Sequence, residues 1–107
     1  MKAGTIVTSN FPGVVNSKRR PAVVVSSETY HQECPDVILA LITTNIANAT
    51  SSTDYVLQDW SNAHLDRPSA VRNFLFTLPK FEVTEIGKLS DCDWSEVQKR
   101  LRISIEI

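Results

Sequence analysis

Short runs of β-branched and aliphatic residues, separated by polar stretches, dominate the first two-thirds of the chain. The densest run is Ala22–Ser26, and a second one is Val37–Thr44. Polar residues flank Ala22–Ser26 on both sides, which is typical of a strand buried on both faces or of a strand in a small barrel. The same pattern predicts further strands at residues 5–8, 54–58, 69–78 and 81–86.

The end of the chain follows a helical pattern instead. Ser90 is suited to cap a helix N-terminus, and two acids follow it in the first turn, where they favour the helix dipole. Apolar residues then recur at i, i+3 and i+7 on one helix face: Trp94, Val97 and Leu101. Residues 102–107 fit a helix end, a short strand or a tail. Many short strands and one late helix predict a mainly β (α+β) fold, a small barrel or sandwich with a C-terminal helix.

The polar stretches between the strands are interpreted as loops. Asn10–Gly13 has the proline and glycine of a turn, and loops are predicted at 14–19, 45–53 and 59–68. Arg20 precedes Pro21, and proline disfavours helix at the residue before it, so Arg20 is predicted to be extended.

Length and composition fit one domain, residues 1–107, with no linker or repeat. The chain is 42% hydrophobic and 21% charged, which is ordinary for a globular protein. No signal peptide or membrane span is predicted, so we expect a cytoplasmic protein. Cys34 and Cys92 lack the spacing of a metal site, and we interpret them as unpaired, reduced thiols. No metal and no cofactor is expected.

Charge is unevenly distributed along a chain whose formal net charge is -1. Residues 1–27 carry four basic residues and no acid, whereas residues 28–66 carry six acids and no lysine or arginine. Residues 67–88 are basic again, with four basic residues and two acids. If the two basic blocks meet in the fold, they form a local positive surface that attracts a polyanion.

Few residue types stand out as candidates for chemistry. Arg20 offers a planar, permanently charged guanidinium that suits a phosphodiester, although composition alone favours a solvated basic loop as the explanation of Lys18–Arg20. Thr43 and Thr44 end an apolar strand. A hydroxyl at this position can bind phosphate, but threonine is also common in strands for its shape alone. His31 and His64 are solitary loop residues, interpreted as surface histidines rather than acid–base groups. Trp94 is expected in the core, and the role of Trp60 is open.

Several segments together resemble the MazF/PemK family of toxin endoribonucleases. The most specific piece is Arg20–Ser26 with its Arg-Pro-Ala-Val-Val-Val-Ser sequence, and the second is Ile86–Ser90. Other matching pieces occur in order along nearly the whole chain: Gly4–Val7, Phe11–Gly13, Val37–Thr44, Asp54–Leu57, Pro68–Arg72 and Asp93–Trp94. The resemblance implies an SH3-like barrel with a C-terminal helix, a homodimer, cleavage of single-stranded RNA, and inhibition by an antitoxin with an acidic flexible segment.

The resemblance also assigns roles to residues. The catalytic arginine of the family falls on Arg20 and its catalytic threonine on Thr43, with Thr44 as the alternative. The expected RNA-binding residues lie in or beside the loops: Asn16, Ser17, Lys18, Arg19, Thr44, Asn45, Ser69 and Arg72. Many members carry a Gly-Ser-Glu-Gln stretch where this chain has Val14–Lys18, so the acid found there in those members is absent.

Two other functions fit the same sequence features. A non-catalytic toxin on the same barrel, as in the CcdB branch, would poison DNA gyrase by protein contact and would not need Arg20 and Thr43. An inactive barrel would serve only as a binding module. No metal-dependent or nucleotide-binding motif is present in the sequence.

Overall fold

The computed structural model describes residues 1–10 and 19–107. In these ranges the strands are β1 (Thr5–Asn10), β2 (Arg19–Val24), β3 (Asp36–Thr43), β4 (Tyr55–Val56), β5 (Ala70–Pro79) and β6 (Thr84–Lys88). The α-helices are α1 (Glu28–Glu33) and α2 (Asp91–Ser104). Short 3-10 turns lie at Ile46–Asn48 and Lys80–Glu82.

The strands form one antiparallel sheet in the order β4-β5-β3-β2-β1-β6. The sheet is a half-barrel with α2 as its C-terminal helix, which confirms the mainly β fold predicted from the sequence. β2 is central: Val23 pairs with Ile6 of β1 on one side, and Ala22 pairs with Leu41 of β3 on the other.

Both faces of the sheet carry a hydrophobic core. Side chains alternate between the faces of a strand, so Ile6 and Val23 join one cluster while Val7 and Ala22 join the other. Trp60, Leu65 and the apolar residues of α2 pack on the first cluster. Ala22, Val23 and Val24 are completely buried, which confirms the prediction of a strand buried on both faces.

Helix α2 begins as predicted. The Ser90 side chain accepts a hydrogen bond from the Asp93 backbone N–H at 3.1 Å, and Val97 is completely buried. Trp94 packs on the first core cluster, so its predicted core position is confirmed. The helix continues to Ser104, and the alternation of residues 102–107 therefore belongs to a helix end followed by a three-residue tail.

Three local predictions were wrong in extent. His31 was predicted in a loop but lies in helix α1. None of the residues of α1 is buried, so the sequence shows no apolar periodicity there, and Ser27 caps the helix by accepting a hydrogen bond from the Tyr30 N–H at 3.2 Å. β4 is shorter than the predicted strand at 54–58. Residues 80–82 form a 3-10 turn, so the last strand begins only at Thr84. Most of the predicted turn at 10–13 and loop at 14–19 lies outside the described residues.

Candidate functional site

Arg20 lies near the start of β2 and is extended, as Pro21 after it predicts. It pairs with Ser9 of the neighbouring strand β1, and the buried hydroxyl of Ser9 has no hydrogen-bond partner in the described structure. The Arg20 side chain is exposed, and no acid or acceptor of the described residues binds its guanidinium. Within the described residues, the five N–H donors of this permanently charged group therefore have no protein acceptor.

Arg19, by contrast, is bound to the sheet. Its Nη2 donates to the Thr8 carbonyl oxygen at 2.7 Å and to Thr84 Oγ1 at 3.0 Å, and its Nε donates to Thr8 Oγ1 at 3.3 Å. These bonds span β2, β1 and β6, so Arg19 contributes charge at a fixed position and has fewer free donors than Arg20.

An open pocket of about 340 Å³ joins the two arginines to the loop that precedes β5. Its charged lining consists of three cations and one anion: Arg19, Arg20, Arg67 and Asp66. Thr8, Thr44, His64 and Ser69 supply polar side chains to the same pocket. With histidine neutral the lining carries a charge of +2 on a protein of net charge -1. The two basic blocks of the sequence therefore meet here, as the charge distribution suggested.

The two candidate threonines occupy different positions relative to Arg20. Counting two residues outward from the Ala22–Leu41 pair along β2 and β3 reaches Arg20 and Thr43, so both side chains project from the same face of the sheet. Thr43 Oγ1 accepts a hydrogen bond from the Asn45 N–H at 3.1 Å, which leaves its O–H free to donate. Thr44 is exposed and lines the pocket with Arg20, whereas Thr43 does not line it.

Ser69 stabilises the pocket wall through a hydrogen bond to the backbone of Arg67. It is buried, and its hydroxyl donates to the Arg67 carbonyl oxygen at 2.8 Å, which fixes the corner at Arg67-Pro68. Arg67 was not among the residues predicted from the sequence. The signal was present, because Arg67-Pro68 repeats the Arg-Pro dipeptide of Arg20-Pro21 at a second loop-to-strand junction.

Arg72 and Asn45 lie apart from this pocket. Arg72 pairs with Leu41 in the sheet and lines a separate cavity of about 320 Å³, where its Nε lies 3.5 Å from Asp54 Oδ1. Asn45 is exposed directly after Thr44 and begins the 3-10 turn. Three other predicted RNA-binding residues fall outside the described residues: Asn16, Ser17 and Lys18.

A buried carboxylate holds the segment that leads into the pocket. Asp93 is completely buried and accepts hydrogen bonds from the Tyr55 hydroxyl at 2.7 Å and from the N–H groups of Gln58 and Asp59. Burial, together with this bond and the nearby negative charge, raises the pKa of Tyr55. The N-terminus of α2 is thereby attached to the segment that precedes His64 and Arg67.

The described ranges contain no group of three or more metal-binding side chains. In the same ranges no helix is long and apolar enough to cross a membrane. Cys34 is half-buried and Cys92 is exposed, and the two do not form a disulfide with each other. Trp60, whose role the sequence left open, packs against the first core cluster.

The fold and site define a small antiparallel half-barrel with an open, cationic pocket at one end of its central strands. The sequence matches, over residues 2–105, the PemK-like, MazF-like toxins of type II toxin–antitoxin systems. The chain belongs to this toxin family, in agreement with the resemblance found in its segments.

Several solved structures share the fold. A mycobacterial endoribonuclease in complex with its cognate antitoxin superposes with a TM-score of 0.77 at 18% identity, covering 97% of this chain and 93% of that one. For MazE–MazF from Deinococcus radiodurans the TM-score is 0.75 at 21% identity, with 100% and 96% covered. The Mycobacterium tuberculosis toxin MazF-mt6 gives 0.74 at 22% identity, with 94% of each chain covered. No curated protein sequence matches the chain.

Proposed function

We propose that this protein is a sequence-specific, metal-independent endoribonuclease toxin that cleaves single-stranded mRNA in the cytoplasm and so inhibits growth. The observation that carries the proposal is the guanidinium of Arg20, which no described residue binds, in a pocket whose described lining has a charge of +2 and includes the hydroxyl of Thr44. Membership of the toxin family and the endoribonuclease described for the mycobacterial neighbour support it.

The proposed reaction needs little from the protein because RNA carries its own nucleophile. The 2′-OH beside the scissile phosphate attacks phosphorus, and the products are a 2′,3′-cyclic phosphate and a free 5′-OH. Arg20 stabilises the charge of the phosphorane and protonates the leaving 5′-oxygen. Thr43 donates its free O–H to a phosphate oxygen, and Thr44 is the alternative donor on the pocket side. Because the guanidinium group of arginine keeps its proton in proteins, Arg20 acts here as a proton donor and not as the base.

The RNA-binding surface extends from this pocket. Arg19 and Arg67 attract the phosphate backbone, and Ser69 lies in the same pocket lining. Asn45, which is exposed directly after Thr44, contacts the RNA beyond the pocket, where single-stranded bases are splayed out. Asn16, Ser17 and Lys18 remain proposed contacts from the sequence. Arg72 contributes from the neighbouring cavity. Because DNA lacks the 2′-OH, DNA resists cleavage.

Two protein partners are proposed as well. A cognate antitoxin with an acidic, flexible segment is complementary to the cationic pocket, and the mycobacterial and Deinococcus neighbours were solved with antitoxins. A homodimer is supported by large apolar side chains that stay exposed in the single chain, among them Phe74 at 69% and Ile103 at 61%.

The deciding experiment incubates purified protein with a long RNA in EDTA and maps the cut ends. We expect cutting in EDTA, cyclic phosphate termini, and a loss of about 10²–10³ in rate for Arg20→Ala. Arg102→Ala is the matched control, because Arg102 is an exposed arginine that does not line the pocket.

Each alternative has its own signature in this assay. Cutting abolished by EDTA would contradict the metal-free mechanism, and undiminished cutting by Arg20→Ala would contradict the assigned site. Gyrase-dependent DNA breakage without RNA cutting would identify a gyrase poison. Binding of RNA with no cutting under any condition would identify an inactive binding module.

A further inference from the structure

His64 lines the same pocket as Arg20 and Thr44, and its backbone conformation is unusual. In the described ranges it is the only residue other than glycine with a positive φ, at +64°. Histidine enters this left-handed region more readily than most residues, but the conformation persists only where the surroundings impose it. Such residues cluster at functional sites, so the position of this imidazole calls for a chemical explanation.

One hydrogen bond determines how the imidazole is presented. His64 Nδ1 lies 2.8 Å from the Ile86 carbonyl oxygen. A carbonyl only accepts, so Nδ1 carries the hydrogen and the lone pair of the neutral ring is on Nε2. No described residue binds Nε2. The structure therefore presents an exposed proton acceptor at the wall of the pocket.

The turn that carries His64 is held tightly against β6. A Cβ added at Gly87 would lie 2.4 Å from the Ala63 carbonyl oxygen and 3.3 Å from His64 Nδ1. Only glycine permits this approach, because real Cβ contacts are essentially never below 3.0 Å. Ala63 is itself 1% exposed. The imidazole is thus positioned by packing as well as by its hydrogen bond.

From these observations we infer that His64 is the general base of RNA cleavage, an inference that rests on the proposed endoribonuclease function. Neutral Nε2 takes the proton of the 2′-OH while that oxygen forms its bond to phosphorus. The bond from phosphorus to the 5′-oxygen breaks, and that oxygen takes a proton from Arg20. The imidazolium then loses its proton to water and the guanidine regains one, which restores both groups. A positioned base of this kind contributes about 10²–10⁴ in rate.

Among the described residues that line the pocket, the imidazole of His64 suits this role best. The other described charged groups of the pocket lining are Arg19 and Arg20 on β2, and Asp66 and Arg67 on the loop of His64 itself. β6 contributes Ile86, and Thr8 and Thr44 come from β1 and the end of β3. Of these side chains only histidine ordinarily titrates between about pH 5 and 8. A histidine base works only while its imidazole is neutral, so the rate of a reaction that uses one falls on an acidic limb of the pH profile.

The test measures kcat and KM between about pH 5 and 9 for the wild type and His64→Asn on a short RNA that contains the mapped cleavage site. Asparagine tolerates the left-handed backbone and can donate its amide N–H to the Ile86 carbonyl oxygen. The variant therefore keeps the backbone conformation and the hydrogen bond of His64 but lacks the basic ring nitrogen. We expect kcat to fall by about 10²–10⁴ and the acidic limb to disappear. Affinity for an analogue with a 2′-deoxy scissile residue should stay within about twofold of the wild type, because the base acts only in the reaction.

The matched control is His31→Asn. His31 lies outside the pocket, with its ring bound to Ser26 Oγ and the Met1 carbonyl oxygen, and its variant should keep the acidic limb. If His64→Asn melts early, His64→Gly with added imidazole replaces it, and rescue of the rate by imidazole supports the base. An unchanged rate and pH profile, or a loss confined to analogue affinity, overturns the role of His64 while cleavage by the wild type stands. A wild type that cuts no RNA overturns both proposals.

Discussion

Gly87→Ala tests the contact that places His64 in the pocket. The new Cβ would lie 2.4 Å from the Ala63 carbonyl oxygen, and ordinary contact begins at 3.4 Å, so the turn must move away by 1.0 Å to restore ordinary contact. No positive φ is involved at Gly87, so the effect is one of space rather than backbone strain. Overpacking of this kind costs about 1–3 kcal/mol. Loss of the bond from His64 to Ile86 would add about 0.5–1.5 kcal/mol.

The assay combines thermal unfolding with RNA cleavage by the folded variant. For a domain of this size each kcal/mol lowers the Tm by about 4–8 °C, so we expect a fall of about 4–24 °C for a cost of about 1–3 kcal/mol. Below the Tm, cleavage should be slower than in the wild type, because a displacement near 1 Å at a catalytic group costs up to about 10²-fold. Lys88→Ala, an exposed neighbour in β6, is the control and should change stability by less than about 0.5 kcal/mol. A Gly87→Ala protein with the native Tm and full activity would refute the reasoning.

Two further predictions concern the buried network around Asp93. Ser90→Ala removes the α2 cap and the bond to Asp59 and should cost about 1–2 kcal/mol in chemical denaturation, whereas Ser95→Ala, exposed on the same helix, should be nearly neutral. Tyr55→Phe removes a donor from a buried carboxylate and should cost about 1.5–3 kcal/mol near neutral pH. Since folding raises the pKa of Tyr55, the wild type should lose stability above about pH 10, where the unfolded tyrosine ionises, and the phenylalanine variant should lack that loss; parallel pH profiles would contradict it.

Local patterns in the sequence were enough to predict most of the sheet and its helix. The β-branched run at Ala22–Ser26 and the apolar run at Val37–Thr44 became the central strands, because alternating residues of such runs are buried on two faces. The apolar face of α2 and its Ser90 cap could also be predicted from the sequence. Helix α1 was not, since its six residues bury nothing and depend on a single cap.

Of the residues predicted from the sequence, four line the candidate pocket, and their roles are still proposals: Arg19, Arg20, Thr44 and Ser69. The sequence could not show that Arg67 and His64 join Arg20, because they are far apart in the chain and only the folding of the sheet brings them together. It favoured a surface histidine at position 64, and the ring is indeed exposed. The sequence did not show that the neighbouring strand β6 orients this ring through Ile86 and Gly87.

The sequence by itself determined the class of fold, the start of α2 and the residue types available for chemistry, because propensity, capping and hydrophobic period act over a few neighbouring residues. Only the tertiary structure decided which charges meet, which threonine borders the pocket and which nitrogen of His64 faces the Ile86 carbonyl oxygen. Those features depend on contacts between β2, β6 and the loop before β5, and their geometry is set by long-range packing such as the close approach of Gly87 to Ala63.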